Sequence, residues 1–238
     1  NSYDRWRNDN LTNRYQGVQF GYTSAGRYTS WNDIWNYYGF KERDVLPGDY
    51  KYEDWNGDGE INGQDEHPFA FDQTPWLQFS LNAGLQWKNF DFNMLLQGSA
   101  LGSMEYKEPL HEIWGKNGGG ALTQFLDRWH PVDPKADPYD PSTVWTSGHY
   151  AYTGRWAKNN SAFNRVSTAY LRLKSIELGY TFPKLKQIPN ASLRVYANAY
   201  NLLTFTGVKF VDPEHPDDDL GRMYPLNKTY TLGVSLSF

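Results

Sequence analysis

The residues best suited to binding chemistry lie between positions 54 and 65, where oxygen-bearing side chains recur at short intervals. They occupy relative positions 1, 3, 5, 9 and 12 of this stretch, with a glycine at 6, the Glu60 backbone carbonyl at 7 and an aliphatic residue at 8. This pattern matches the twelve-residue loop that surrounds a calcium ion with six to eight oxygens. The predicted metal ligands are Asp54, Asn56, Asp58, Glu60, Asn62 and Asp65.

Two features leave a second interpretation of this loop open. Position 12 is Asp65, where such loops usually carry a bidentate Glu, so the shorter side chain is expected to weaken the site. The stretch also contains Asn-Gly and Asp-Gly pairs, which are common in polar turns that bind no ion. Calcium is therefore the predicted cofactor, and an empty polar turn is the alternative.

Aromatic side chains form a second set of candidate ligand-binding residues. The chain contains 10 Trp and 18 Tyr, and many of them fall in long segments rich in Gly, Pro, Asp and Asn. A flat ring can stack on a sugar, but long loops also use aromatic residues to build small cores of their own. The candidates for substrate binding are Trp31, Trp35, Trp114, Trp145 and Trp156.

Signatures of an enzyme are missing from the sequence. The five His residues show no metal-ligand spacing, and neither a Gly-x-Ser-x-Gly elbow nor a phosphate loop occurs. Cys is absent, which excludes thiol chemistry, and the net charge of −4 gives no basic surface for nucleic acid. We therefore expect neither catalysis nor nucleic-acid binding.

The elements that must position these residues are predicted to be β-strands. Apolar and polar side chains alternate in residues 76–87, 90–98, 170–182, 192–204 and 229–238. A tilted membrane-spanning strand needs about 9–11 residues of this kind, and it exposes only every second residue to lipid. No run approaches the roughly 20 apolar residues of a spanning helix. The pattern predicts an all-β fold built from antiparallel strands of a transmembrane β-barrel.

Short and long connections alternate between these strands. The turns at 88–89 and 183–190 are short, whereas the segments 23–75, 98–167 and 206–228 are long. All the long segments therefore emerge at one end of the sheet, as the extracellular loops of bacterial barrels do. We predict an extracellular loop region over 1–75 with the calcium motif, and C-terminal barrel strands with two further long extracellular loops over 76–238.

The alternation also assigns residues to the two faces of the predicted barrel wall. Residues expected to face lipid are Leu77, Phe79, Phe92, Leu178, Val195 and Phe238. Residues expected to face the lumen are Asn82, Asn93, Glu177 and Asn198. Arg172 and Lys174 share the parity of Leu178, so we expect them near the outer rim, either meeting lipid phosphates or as a solvated extension of the strand.

The last strand ends on an aromatic residue. Its polar-x-Gly-x-x-apolar-x-aromatic spacing resembles the signal by which the outer-membrane assembly machinery takes up barrel proteins, and the predicted signal residues are Gly233, Leu236 and Phe238. Five strands are too few for a barrel, whose smallest members have about eight. The sequence also begins without a signal peptide. We therefore expect a piece of a longer, processed chain.

Several segments, in order and spacing, resemble the C-terminal part of SusC/RagA-type TonB-dependent outer-membrane transporters. They are residues 47–62, 170–183, 193–196, 201–205 and 230–238. The resemblance implies a barrel of about 22 strands, and a plug domain and TonB contacts that lie in an N-terminal part absent from this chain. It also implies a SusD-like surface lipoprotein as partner, import of oligosaccharides or peptides, and a location in the outer membrane of a Gram-negative bacterium.

A second class of protein shares many of these features. A secreted, calcium-stabilised, carbohydrate-binding β-sandwich would also combine alternating strands, acidic loops and aromatic residues. Such a sandwich would be purified without detergent, whereas a membrane barrel would require it. This is the alternative to the transporter.

Overall fold

The computed structural model describes residues 17–37, 45–107, 110–111, 121–152, 157–158, 160–182, 191–216 and 221–238. In chain order the strands are β1 (Val18–Gly21), β2 (Ser24–Arg27), β3 (Tyr50–Tyr52), β4 (His67–Phe71), β5 (Leu77–Trp87), β6 (Phe90–Ala100), β7 (Ser103–Glu105), β8 (His130–Pro131), β9 (Trp145–Thr146), β10 (Arg165–Ser167), β11 (Tyr170–Phe182), β12 (Ser192–Thr206) and β13 (Thr229–Ser237). Helix α1 (Trp31–Asn36) and 3₁₀ turns at Gly63–Asp65 and Thr123–Leu126 complete the regular structure of these ranges. The all-β prediction is confirmed.

The chain divides into two compact units. The described parts of the first unit lie within 17–74 and 103–166 and include Gly221, and those of the second lie within 75–102, 167–216 and 222–238. The chain thus passes from the first unit to the second after Thr74 and returns to the first after Gly102. The extracellular position of the first unit stays a prediction.

The second unit is built on one antiparallel sheet of five strands, in the order β13-β12-β11-β6-β5. All five predicted strands are present, and their ends lie within two residues of the predicted ends. β5 and β6 form a hairpin in which Trp87 pairs with Phe90. Lys88, the first residue of the turn, has a φ of 55°, in the left-handed region that two-residue hairpin turns require at their first position.

The register of the sheet separates apolar from polar residues. One row across all five strands consists of Leu85, Phe92, Leu178, Ala197 and Leu232. The neighbouring row, on the opposite face, consists of Gly84, Asn93, Glu177, Asn198 and Thr231. Because side chains of a strand alternate between faces, the sheet has one apolar face and one polar face.

A bulge in β11 reverses this alternation toward the start of the strand. Leu173 pairs with Leu96 and Ser175 with Leu95, so Lys174 is an extra residue of β11 relative to β6. An extra residue moves the side chains beyond it to the opposite face. Leu173 therefore lies on the apolar face, and Arg172 turns to the polar face. The prediction that Arg172 shares the face of Leu178 is wrong.

The first unit consists of two-stranded sheets and small cores. The sheets pair β1 with β4, β2 with β3, β7 with β10 and β8 with β9. Tyr28, Ile34 and Val45 form one core cluster, against which Trp31 and Tyr37 pack. No helix in the described ranges has both the length and the apolar character needed to cross a membrane.

Candidate functional site

The apolar face of the five-stranded sheet is exposed along its whole width. Leu81 is 56% exposed, Leu178 54% and Leu232 78%. The other large apolar residues exposed on this face are Leu77, Phe79, Leu85, Trp87, Phe90, Leu171, Phe182, Leu203, Phe205, Tyr230, Val234 and Leu236. Soluble monomers rarely expose a continuous apolar patch larger than a few hundred Å², and a larger one is typical of contact with a membrane or another protein.

Aromatic rings gather at the end of this face that contains the β5–β6 turn. Ring centroids are 6.3 Å apart for Trp87 and Phe90, and 4.7 Å apart both for Phe90 with Tyr180 and for Tyr180 with Phe182. The Lys88 ammonium lies 4.9 Å from the Trp87 ring centroid. Aromatic rings with a cationic side chain beside them are typical of the boundary between lipid and water.

The polar face carries a charged network near the same end. Arg194 Nε donates to Asp91 Oδ1 at 3.1 Å, and its Nη2 donates to Glu177 Oε1 at 2.6 Å. Asn198 Nδ2 lies 3.4 Å from the other Glu177 oxygen. A Cβ at Gly179 would overlap the Asp91 and Arg194 side chains as they are placed here, so glycine leaves the space that this network occupies. Charged groups at this density suit a wetted surface, unlike the opposite face.

The predicted assembly residues occupy three different environments. Gly233 pairs with Tyr196, and a Cβ at 233 would overlap the Tyr196 ring, so packing alone gives a reason for glycine there. Leu236 pairs with Leu193 on the apolar face and is 48% exposed. Phe238 is 97% exposed and follows the last residue of β13. Their role in assembly stays a prediction.

Arg172 is the centre of a buried ion cluster rather than a rim residue. It is 2% exposed, and its Nη2 donates to both Asp212 oxygens at 2.8 Å. Its Nη1 lies 2.9 Å from Glu214 Oε1 without hydrogen-bond geometry, and its Nε donates to Thr204 Oγ1 at 2.9 Å. Lys174 Nζ donates to Glu214 at 2.8 Å. The cluster ties strand β11 to the segment that follows β12.

The predicted calcium loop is organised around the carboxylate of Asp65. This group accepts the backbone N–H groups of Trp55 at 3.0 Å and Asn62 at 2.7 Å, which joins the start of the loop to its end. Asp65 is fully buried, and this burial raises the pKa of its carboxyl above the ordinary value although the backbone hydrogen bonds oppose the change. Asp65, at position 12, therefore holds the two ends of the loop together in this structure.

Two other carboxylates of the loop accept hydrogen bonds from backbone N–H groups of the same loop. Asp54 accepts the N–H groups of Gly57 at 2.7 Å and Gly59 at 2.8 Å, and Asp58 accepts that of Glu60 at 2.8 Å. Both glycines have a positive φ, 73° for Gly57 and 84° for Gly59, which explains why glycine occupies position 6 of the motif and the turn position before Asp58.

The loop residues fit a hard cation in their chemistry but are not gathered around one point. Among the described residues, no group of three or more His, Cys, Asp or Glu side chains is positioned to hold a metal ion. Every predicted ligand side chain carries oxygen, and a carboxylate oxygen that accepts one N–H retains further acceptor capacity. The calcium site stays a prediction.

The structure brings together two of the five predicted substrate-binding Trp residues. The ring centroids of Trp31 and Trp35 are 6.0 Å apart on helix α1, whereas Trp145 packs against Tyr152 at 5.4 Å. Trp114 and Trp156 lie outside the described residues. Sequence reasoning missed Tyr139, whose ring lies 6.5 Å from that of Trp31. No local sequence signal indicates this contact, because it joins segments about a hundred residues apart.

Known proteins similar to this chain are receptors of one type. The chain is 28% identical to TonB-dependent receptor P3 of Formosa agariphila over 82% of its own length and 19% of the relative's. It is 26% identical to TonB-dependent receptor SusC of Bacteroides thetaiotaomicron over 87% of its length and 19% of the relative's. This chain is similar in sequence to TonB-dependent receptors, SusC among them. No family model matches it.

Solved structures show the same fold as this chain. The RagAB peptide transporter matches with a TM-score of 0.60 and 19% identity, covering 93% of this chain and 22% of that one. The RagAB peptide importer in its closed-closed state matches with a TM-score of 0.55 and 18% identity, again over 93% of this chain. The chain thus spans about a fifth of the length of these relatives. Their names describe receptors and transporters, and none describes an enzyme.

Proposed function

We propose that this chain forms part of the wall and outer loops of an outer-membrane transporter driven through TonB. The observation that carries this proposal is the exposed apolar face, in which Leu81, Leu178 and Leu232 on three different strands are each more than half exposed. In a β-sandwich such residues would be buried between two sheets. In a barrel they face lipid, while the Arg194 network on the opposite face meets a wet lumen.

The complete barrel of about 22 strands would require further strands on both edges of this sheet. β5 and β13 are the edge strands, so each has one side available for pairing with a strand outside this chain. The aromatic end with the β5–β6 turn would lie at the periplasmic boundary, because short turns face the periplasm. The long segments would then extend from the cell.

The proposed cargo is an oligosaccharide or a peptide, taken up together with a SusD-like surface lipoprotein. The sequence relative named SusC and the structures named RagAB peptide importer and transporter support this class of function. Contacts with TonB would belong to the part of the protein that lies outside this chain.

Fractionation of the producing bacterium tests the proposal. We expect the whole receptor in the outer-membrane fraction and its extraction only with detergent, because the apolar face would aggregate in water. A receptor that remains monomeric and folded without detergent would favour the secreted β-sandwich and exclude the barrel.

We further propose that residues 54–65 bind one calcium ion that orders an outer loop without taking part in any reaction. Support comes from the all-oxygen ligand set and from Gly59 at position 6, whose positive φ already gives the sharp turn that the motif requires. Binding would pull the Asp54 and Asp58 carboxylates from backbone N–H groups toward the ion. The closure of the loop by Asp65 would keep the two halves of the site together.

Replacing Asp58 with Ala should abolish calcium binding by this loop and increase its cleavage by protease. The change removes the central ligand, and without a cation between them the other carboxylates repel one another. Metal content by mass spectrometry and limited proteolysis of the whole receptor measure the two effects. Asp133→Ala, which removes a similar turn in another loop, should change neither. The proposal would be contradicted if the wild-type receptor carried no calcium in a solution that contains about 1 mM calcium.

A further inference from the structure

Helix α1 and the segment 132–143 bring three aromatic rings to one exposed place in the first unit. Trp35 is 63% exposed and Tyr139 57%, and both rings lie next to Trp31. We propose that Trp31, Trp35 and Tyr139 form an aromatic platform that binds a neutral oligosaccharide. This inference rests on the proposed transport function and names the class of its substrate.

The platform is anchored at its centre. Trp31 packs against the core of Tyr28, Ile34 and Val45, and Ser30 accepts the Asp33 N–H to cap the helix that carries the ring. Trp35 follows one helical turn later on the same side. The rings of Trp31 and Trp35 are tilted by 38°, so their faces are not used up by stacking on each other. The same holds for Trp31 and Tyr139, which are tilted by 42°.

The segment that carries Tyr139 is held by a repeated turn. Asp133, Asp137 and Asp140 each precede a proline, and each accepts the N–H of the residue two positions later at 2.8–2.9 Å. Thr143 adds a hydrogen bond to the Asp137 carbonyl at 2.6 Å. Three prolines and three such turns limit the freedom of this segment, so little entropy is lost when a ligand binds Tyr139.

Most backbone N–H groups of this segment already donate hydrogen bonds within the chain. The backbone N–H groups that donate within it belong to Val132, Lys135, Ala136, Tyr139, Asp140, Ser142 and Thr143. The three prolines have no N–H. A peptide would need such donors for its carbonyl groups. The segment offers mainly ring faces and carboxylate acceptors, which suit the C–H faces and O–H groups of a sugar.

The negative charge of this segment limits the charge that a bound glycan can carry. Three carboxylates, Asp133, Asp137 and Asp140, stand beside one ammonium, Lys135, in this segment. The hydrogen bonds from Ser142 keep the pKa of the Asp140 carboxyl below its ordinary value, so this group is ionised at neutral pH. Sulfated or carboxylated glycans would be repelled. A neutral chain fits the platform best.

The test applies the whole receptor, purified in detergent, to an array of neutral and anionic glycans and to a mixture of tryptic peptides. We expect neutral oligosaccharides to bind. Trp35→Ala and Tyr139→Ala should each weaken the strongest neutral interaction by about tenfold, since each removes one stacking surface. Tyr139→Phe keeps the ring and should bind within about twofold of wild type.

Tyr224→Ala is the matched control, because Tyr224 is 78% exposed and belongs to the other unit. Its glycan binding should equal that of wild type. Binding only of anionic glycans or only of peptides would overturn the proposal, as would the absence of any neutral ligand or wild-type binding by both alanine variants. Outer-membrane recovery, measured on the same samples, reports separately on the barrel.

Discussion

A receptor in which Phe238 is replaced by Asp should remain largely in the periplasm. The ring of Phe238 is 97% exposed beyond the end of β13, so in this chain it contributes little packing to the sheet. Fully burying such a ring would stabilise the fold by only about 1–3 kcal/mol, too little to account for a loss of the folded protein. A strong effect would therefore arise during assembly, where the aromatic end of the strand is the proposed signal.

Immunoblots of membrane and periplasmic fractions measure this effect. Phe238→Tyr preserves an aromatic end and should reach the outer membrane at a level near that of wild type. Normal outer-membrane abundance of the Phe238→Asp receptor would show that the residue is not read during assembly. Gly233 makes a poorer test, because Gly233→Ala would also disturb packing against the Tyr196 ring.

Replacing Arg172 with Ala should release the segment after β12 from the sheet. Removal of the guanidinium takes away the counter-charge that contacts both Asp212 oxygens and leaves Glu214 with Lys174; the two carboxylates are 14% and 16% exposed. Breaking a buried ion pair by removing one partner destabilises a protein by about 3–5 kcal/mol. We expect a lower unfolding temperature in detergent and faster proteolysis between residues 207 and 216.

Lys174→Ala is the control for this prediction. Lys174 is 31% exposed and contacts Glu214 alone in the cluster, so its loss should change stability by less than about 1 kcal/mol. Equal unfolding temperatures and equal proteolysis for wild type and Arg172→Ala would mean that the cluster does not hold the segment.

The regular part of the sheet could be predicted because alternation has a period of two and each strand is long. β5, β6, β11, β12 and β13 all appear within two residues of their predicted ends. The bulge at Lys174 could not be predicted in the same way. It depends on how β11 pairs with β6 and β12, and no glycine or proline marks it in the sequence. The acidic residues that Arg172 and Lys174 contact at the bulge, Asp212 and Glu214, lie about 40 positions further along the chain.

The sequence predicted some contacts of the candidate sites and not others. The spacing of residues 54–65 predicted the turn at Gly59, and the Asn-Gly and Asp-Gly pairs predicted polar turns, but spacing alone does not determine where carboxylate oxygens point. The neighbourhood of Trp31 and Trp35 follows from their separation by one helical turn. Tyr139 reaches Trp31 through the fold of the first unit, which depends on contacts across the chain rather than on local sequence.

Accessibility of spin labels on the two faces of the sheet tests the membrane-wall account most directly. Labels replacing Leu178 and Val195 in the whole receptor should be accessible to oxygen dissolved in lipid and shielded from a water-soluble quencher. Labels replacing Glu177 and Asn198, which lie on the other face of the same two strands, should show the reverse, because side chains of a strand alternate between faces. Equal accessibility to both reagents on the two faces would contradict the account.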